Sequence, residues 1–157
     1  MIKKILKEKV RFLKFAIVGL SGTVVNLLLV WLGNNVFFAK CNELLRTGAA
    51  LALAIGASIF TNFILNYLWT WKDRRVKGLS SFARHLGKYY LASLAAALLQ
   101  FVIAGIISYI LQITLFAGVS AVPVFWKMGA SFVGIGIAML LNFILNHFWT
   151  FKQQEKN

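Results

Sequence analysis

The sequence predicts an all-α integral membrane protein in which four transmembrane helices form two parallel helical-hairpin repeats. Three observations support this prediction: long stretches without a charged residue, a one-sided distribution of Lys and Arg, and an internal repeat. The chain of 157 residues is 60% hydrophobic, with a mean hydropathy of +0.77. A soluble domain of this size cannot bury so much apolar surface, so composition alone indicates a membrane protein.

Four stretches of the chain contain no Asp, Glu, Lys or Arg: residues 15–39, 47–71, 89–126 and 128–151. Three of them have 24 or 25 residues and the remaining one has 38. An α-helix needs about 20 residues to cross about 30 Å of hydrocarbon, so each stretch holds one span. We therefore predict one membrane domain over residues 1–157, with a loop at 72–84 and spans at 10–38, 47–71, 85–116 and 126–151. The first apolar stretch is too long for a cleaved signal peptide, so we expect it to remain as an anchor.

Lys and Arg are concentrated on one side of the predicted spans. Of 17 cations, 14 precede the first span, lie between the second and third, or follow the fourth. Only Lys40, Arg46 and Lys127 fall on the other side. The positive-inside rule then places both termini and the loop 72–84 in the cytoplasm. The formal charge of +13 is thereby explained by membrane orientation, and no nucleic-acid partner is expected.

The second half of the chain repeats the first. The stretch NFILNYLWTWK begins at Asn62, and NFILNHFWTFK begins 80 residues later at Asn142. The first helices of the two halves align at an offset of 74, which places Lys14 on Lys88 and Asn26 on Gln100. Each half crosses the membrane twice, so both halves enter from the same side and the repeats are parallel.

Six carboxamide side chains fall at matching depths in the two halves: Asn26, Asn62, Asn66, Gln100, Asn142 and Asn146. On the second and fourth spans the asparagines continue a face of small residues that recur every fourth position, so they are expected to face inward. One interpretation is that they hydrogen-bond across helices and fix the helix register. The other is that they line a polar cavity open to the cytoplasm, which offers donors and acceptors to a sugar or phosphate.

Several functions are disfavoured by residue types that the spans lack. All four acids (Glu8, Glu43, Asp73 and Glu155) lie outside the predicted spans, whereas proton-coupled carriers usually bury a carboxylate. The sequence has no glycine-rich phosphate loop, no catalytic Ser/His/Asp set and one cysteine, Cys41. We therefore expect no catalytic residue, no metal and no cofactor.

The segment KFAIVG (Lys14 to Gly19), the four-helix layout and the twice-used N-F-x-x-N ending resemble the bacterial GtrA-like family from about Arg11 to Lys152. Members of that family are linked to cell-surface polysaccharide synthesis and are proposed to flip polyprenyl-phosphate-linked sugars. The resemblance implies a multi-pass protein of the bacterial cytoplasmic (inner) membrane that translocates such a lipid, or polyprenyl phosphate itself.

The resemblance also implies roles for named residues and partners. The six carboxamides would bind the head group, and a second set would attract phosphate or anionic lipid: Lys14, Lys72, Arg84, Lys88 and Lys152. The expected partners are the lipid bilayer, the polyprenyl-phosphate lipid and a membrane glycosyltransferase. Four helices enclose a head group poorly, so a homo-oligomer is expected. The alternatives are a non-transporting scaffold or accessory subunit of a glycosyltransferase and, last, a small-solute exporter.

Overall fold

The computed structural model describes residues 2–75 and 78–152, and within them the chain is helical and has no strand. The predicted all-α fold is therefore confirmed. Residues 76–77 of the predicted loop, and residues 153–157 after the fourth helix, lie outside the described residues. The described part has four long helices: α1 (Ile2–Leu32), α2 (Glu43–Leu65), α3 (Leu79–Thr114) and α4 (Val124–Leu145).

Each of these helices includes a segment long and apolar enough to cross a membrane. The candidate spans are Leu6–Phe37, Glu43–Thr70, Leu79–Thr114 and Val124–Thr150. Many of their large apolar side chains are exposed, among them Leu20 at 71% and Phe101 at 79%. Exposed apolar side chains at this density belong against lipid, because water would solvate them poorly.

Helices α1, α2 and α4 each continue directly into a π-helical turn. The first π turn is Gly33–Phe37, the second Asn66–Thr70 and the third Asn146–Thr150. The second and third fall at repeat-related positions and close with the same backbone bond, from the residue after the turn to the Asn carbonyl, at 2.9 Å and 2.8 Å. The sequence repeat is therefore also a repeat of local structure. Single π turns of this kind are rare and often occur at functional sites.

Two compact units divide the described chain, one at residues 2–90 and one at residues 91–152, and helix α3 runs through both. In the first unit, α1 and α2 form an antiparallel hairpin. Asn42 caps α2 by accepting a hydrogen bond from the Leu45 N–H at 2.9 Å. The first π turn approaches α2 closely at Gly33, where an added Cβ would lie 2.8 Å from the Ala50 Cα.

The first turns of α3 pack on α2 through aromatic side chains. Phe82 contacts Phe63 and Tyr67 edge to face, with ring centroids 5.2 Å and 5.5 Å away. Further along, the Tyr90 hydroxyl donates to the Gly56 carbonyl at 2.6 Å. The helix begins at Leu79, six residues before the predicted start of the third span at 85. These aromatic contacts explain the earlier start, since they stabilise helix within the predicted loop 72–84.

In the second unit, Gly134 of α4 packs closely on α3. A Cβ at Gly134 would lie 2.9 Å from the Gln100 carbonyl oxygen, so only glycine fits without movement of the backbone. The connection between α3 and α4 includes Gly118, which has a positive φ of 89°. The Gln112 side chain holds this connection by donating to the carbonyls of Phe116 and Val119 at 3.0 Å and 2.9 Å.

The faces of small residues are buried in both units. On α2 and α4 the fully or nearly fully buried members are Ala50, Ala54, Ser58, Ala130, Gly134 and Ala138. Small side chains allow close helix approach in lipid, where packing replaces the hydrophobic drive between helices.

Candidate functional site

A pocket of about 450 Å³ opens at the end of the first hairpin that carries the start of α1 and the end of α2. Four of its lining residues are cations, and apolar side chains, a hydroxyl and one carboxylate complete the wall. The lining residues are Leu6, Lys7, Val10, Arg11, Lys14, Trp69, Thr70, Lys72 and Asp73. We call this the basic pocket.

Arg11 forms the buried side of the basic pocket and is only 4% exposed. Its Nη1 donates to both oxygens of Glu8 at 2.7 Å and 2.9 Å, and its Nη2 donates to both oxygens of Asp73 at 3.0 Å and 2.8 Å. Its Nε donates to the Thr70 carbonyl at 3.4 Å. In each pair one Nη contacts both oxygens of a carboxylate, and charge-assisted hydrogen bonds are stronger than neutral ones, so Arg11 ties α1 to the chain that follows the second π turn. We call Glu8, Arg11 and Asp73 the Arg11 clamp.

Asp73 is held as a carboxylate by its cationic neighbours. Burial alone would raise the pKa of Asp73, but a hydrogen bond from Lys7 and the charge of Arg11 lower it below its ordinary value of 3.8. The Lys7 ammonium lies 2.8 Å from the Asp73 carboxylate. Both sides of this pair are well solvated, so it adds little stability beyond the Arg11 clamp.

Lys14 and Lys72 differ from the other cations of the basic pocket because neither is paired with a carboxylate within residues 2–75 and 78–152. The Lys14 ammonium lies over the Trp69 ring, 5.2 Å from the ring centroid. This cation–π contact fixes the position of the lysine without neutralising it. Lys72 is exposed in a short 3-10 turn, Lys72–Arg74.

The second π turn connects the basic pocket to the carboxamides deeper in the hairpin. Thr70, which lines the pocket, donates from its hydroxyl to the Asn66 Oδ1 at 2.7 Å. The Asn66 Nδ2 donates to the Tyr89 hydroxyl at 2.8 Å. Asn66 is fully buried, and its amide oxygen and nitrogen each have a protein partner. The bond to Tyr89 joins the second π turn to α3, which is the kind of contact that the first of the two interpretations describes.

Asn62 has a different environment, one turn deeper than Asn66. Its carboxamide packs against Gly22 of α1, where a Cβ would overlap it. The Asn62 Oδ1 is buried and has no hydrogen-bond partner among the residues that the structure describes. A buried carbonyl oxygen without a hydrogen bond costs about 1–3 kcal/mol. Asn26, on the same helix as Gly22, is half-buried.

In the second unit the asparagines pair with each other. The Asn146 Nδ2 donates to both the side-chain and the backbone oxygen of Asn142, at 2.7 Å and 2.8 Å. Within the described residues, neither the Asn146 Oδ1 nor the Thr150 hydroxyl has a partner, although both are buried. The corresponding segments NYLWT and NHFWT of the two repeats therefore form different hydrogen bonds. Gln100 is half-buried on α3 beside Gly134.

The remaining cations that were predicted to attract phosphate are not lining residues of the basic pocket. Arg84 is exposed on the first turns of α3, and Lys88 is half-buried further along the same helix. Lys152 is exposed after the third π turn. Of the five predicted phosphate ligands, the structure gathers Lys14 and Lys72 in one pocket.

Lys7, Arg11, Trp69 and Thr70 line the pocket but were not singled out as site residues from the sequence. A signal for the cations was present: Lys7, Arg11 and Lys14 follow the i, i+4, i+7 spacing that places side chains on one face of a helix. Asp73 lies in the 3-10 turn after the second π turn, and the antiparallel hairpin returns it to that face.

Together these features define a small four-helix membrane domain with a cationic pocket at one end of its first hairpin. The GtrA/DPMS transmembrane domain family matches the chain twice, over residues 14–104 and 100–157, and the chain belongs to that family. The chain is also similar to the dolichol-phosphate mannosyltransferase of Pyrococcus furiosus, with 34% identity over 136 residues. That alignment covers 87% of this chain and 32% of the relative, so the chain spans about a third of the relative's length.

Proposed function

We propose that the protein translocates a polyprenyl-phosphate-linked sugar, or polyprenyl phosphate itself, across the bacterial cytoplasmic membrane for cell-surface polysaccharide synthesis. Membership of the GtrA/DPMS transmembrane domain family supports this proposal, as does the dolichol-phosphate in the name of the similar mannosyltransferase. The observation that carries it is the basic pocket, in which Lys14 and Lys72 have no carboxylate partner among the described residues and lie beside apolar Leu6 and Val10.

A lipid of this class makes two demands on a carrier, because its head group is anionic and polar while its isoprenoid tail stays in hydrocarbon. The basic pocket combines cations with apolar walls, and its volume lies in the usual range for ligand sites. Deeper in the same hairpin, the Asn62 carboxamide offers an unsatisfied acceptor without adding a fixed charge. Neutral polar groups lower the cost of moving a sugar through the membrane, whereas a buried charge would trap its phosphate.

The proposed carrier is non-catalytic and works without an energy source of its own. Among the described residues, Glu8 and Glu43 lie in the first two turns of α1 and α2 and Asp73 lies in the 3-10 turn Lys72–Arg74, and Arg11 binds Glu8 and Asp73. Net movement then follows the lipid's own gradient, as synthesis loads one leaflet and a glycosyltransferase consumes the lipid on the other. The positive-inside distribution of Lys and Arg supports cytoplasmic termini, and the small size of the domain supports a homo-oligomer.

The alternative function is a membrane domain that anchors or positions a glycosyltransferase and transports nothing. One observation favours it: the similar mannosyltransferase is about three times as long, and only a third of it is matched by this chain. In that case the chain would act as an accessory subunit for a separate transferase, and the carboxamides would serve packing alone.

The two functions are separated by a transport assay with matched variants. The protein is reconstituted in liposomes with a fluorescent polyprenyl-phosphate sugar, and exchange of the label between leaflets is timed. Asn62→Ala combined with Asn142→Ala should slow exchange while the purified protein keeps its helicity and elution volume. Asn35→Ala is the control, because Asn35 is exposed and its side-chain amide donates to the Trp31 carbonyl of its own helix, at 2.8 Å. An unchanged exchange rate in the folded double variant would contradict a role of Asn62 and Asn142 in transport.

A further inference from the structure

We propose that the basic pocket is a lipid-phosphate site. Lys14 and Lys72 bind the phosphate, and Lys7 leaves Asp73 to bind it as well. The first apolar units of the lipid would lie against Leu6 and Val10. This inference rests on the proposed function for the identity of the lipid, but its geometry comes from the pocket alone.

The charges around the pocket do not cancel. The cluster holds five cations (Lys7, Arg11, Lys14, Lys72 and Arg74) and two carboxylates (Glu8 and Asp73), which leaves a net charge of +3. Glu8 and Asp73 together balance the charges of Arg11, which binds both carboxylates, and of Arg74, which lies 3.9 Å from Glu8. The excess charge therefore resides on the lysines. A phosphate that carries up to two negative charges is a suitable counter-ion for them.

Lys7 is the lysine that must change partner. Its ammonium lies 2.8 Å from the Asp73 Oδ2, the same oxygen that receives a 2.8 Å hydrogen bond from Arg11. Because Arg11 continues to bind Asp73 through two hydrogen bonds, Lys7 can leave without stranding the carboxylate. The Lys7 side chain is 62% exposed, so its movement costs little packing.

The walls of the pocket indicate that the phosphate is carried by a lipid and is not free in solution. Leu6 and Val10 line the pocket and are more than half exposed, at 54% and 52%. They begin a stripe of exposed apolar side chains at helical spacing that continues through Leu13, Ile17 and Leu20, so a tail can pass from the pocket along the surface of α1. A free phosphate gains nothing from these side chains, whereas an isoprenyl phosphate buries apolar surface against them.

The pocket belongs to the first repeat. At the aligned positions of the second repeat, Phe82 replaces Glu8, His85 replaces Arg11 and Gln153 replaces Asp73, although Lys88 and Lys152 are retained. The second repeat therefore lacks the acids and the arginine that build the Arg11 clamp.

The test is a binding measurement on the full chain in nanodiscs of phosphatidylcholine, which carry no anionic lipid. Geranyl phosphate, inorganic phosphate and geraniol are titrated separately by calorimetry, and protein-free nanodiscs provide the background. Lys14→Gln and Lys72→Gln should each weaken geranyl phosphate binding about tenfold, which corresponds to about 1.4 kcal/mol. Lys9→Gln is the matched control, since Lys9 is exposed on the same turns of α1 but does not line the pocket.

Three results would overturn the inference: unchanged affinity in the folded Lys14→Gln, Lys72→Gln double variant, equal weakening by Lys9→Gln, or inorganic phosphate or geraniol binding as tightly as geranyl phosphate. Binding is measured without transport, so the two proposals fail separately. Lysine-dependent binding without leaflet exchange would contradict the proposed translocation and retain the site. Leaflet exchange without lysine-dependent binding would contradict the site and retain the proposed translocation.

Discussion

Replacing Arg11 by methionine should destabilise the first hairpin, because the clamp that joins its two helices is lost. The variant keeps an unbranched apolar stem of similar length but removes four hydrogen bonds to carboxylates and one to the Thr70 carbonyl. Removing one partner of a fully buried ion pair costs about 3–5 kcal/mol. Glu8 and Asp73 are 34% and 37% exposed, so water recovers part of that cost. We expect a loss of about 2 kcal/mol, between the buried and the surface limits.

The assay is reversible unfolding in mixed micelles, followed by helicity, for the wild type, Arg11→Met, Asp73→Asn and the double variant. The Arg11–Asp73 pair is bidentate, so the two losses should overlap by about 1 kcal/mol or more in the double-mutant cycle. Lys9→Met provides a control on the same helix and should change the free energy of unfolding by less than about 0.5 kcal/mol. Strict additivity of the two single variants would refute the claim that the pair couples α1 to the end of α2.

The same clamp gives a pH dependence whose sign follows from Asp73. Its pKa is lowered in the folded protein from an ordinary value of 3.8, so the unfolded chain binds the proton more readily. The contribution of Asp73 is therefore fully present above about pH 4 and is lost as the pH falls through the lower, folded pKa. Unfolding measured from pH 7 down to about pH 3 should show a loss in the wild type that is smaller in Asp73→Asn. Equal pH dependence in the two proteins would contradict this assignment.

Two further variants probe the interior of the first unit. Gly22→Ala should destabilise by about 1–3 kcal/mol because its methyl group meets the Asn62 carboxamide, whereas Gly19→Ala on the same helix meets nothing within 4 Å and should not. Equal unfolding free energies for these two alanine variants would show that α1 and α2 do not approach closely there. Tyr89→Phe should cost about 1 kcal/mol by removing the acceptor of the Asn66 amide, and a neutral result in the same micelle assay would show that the bond contributes nothing.

The fold was largely predictable, because it depends on signals that each segment carries alone. Hydropathy located the four helices, and the recurrence of small residues at every fourth position identified the buried faces at Ala54 and Ala138. The start of α3 at Leu79 was harder to predict from the sequence, because it depends on the contacts of Phe82 with Phe63 and Tyr67.

The candidate site was predictable only in part. Basic residues near the ends of the spans pointed to Lys14 and Lys72, which the structure places in one pocket. The pairing of Arg11 with Asp73 depends on the register of the hairpin, which no local pattern reports. The π turns were also missed, because the shift to an i→i+5 bond has no signature in hydropathy. The contrast between Asn66 and Asn146 arises in the same way, since Asn66 bonds Tyr89, a residue distant in sequence.

We propose that this domain moves a polyprenyl-phosphate lipid between leaflets. The exchange rate of a fluorescent polyprenyl-phosphate sugar in liposomes measures that movement directly. The wild-type chain is compared with empty liposomes and with an unrelated four-helix membrane protein at the same protein-to-lipid ratio. We expect exchange well above both controls, and slower exchange in Lys14→Gln combined with Lys72→Gln. Exchange at the rate of empty liposomes, with polyprenyl phosphate as well as its sugar conjugates, would contradict it and favour an accessory subunit of a glycosyltransferase.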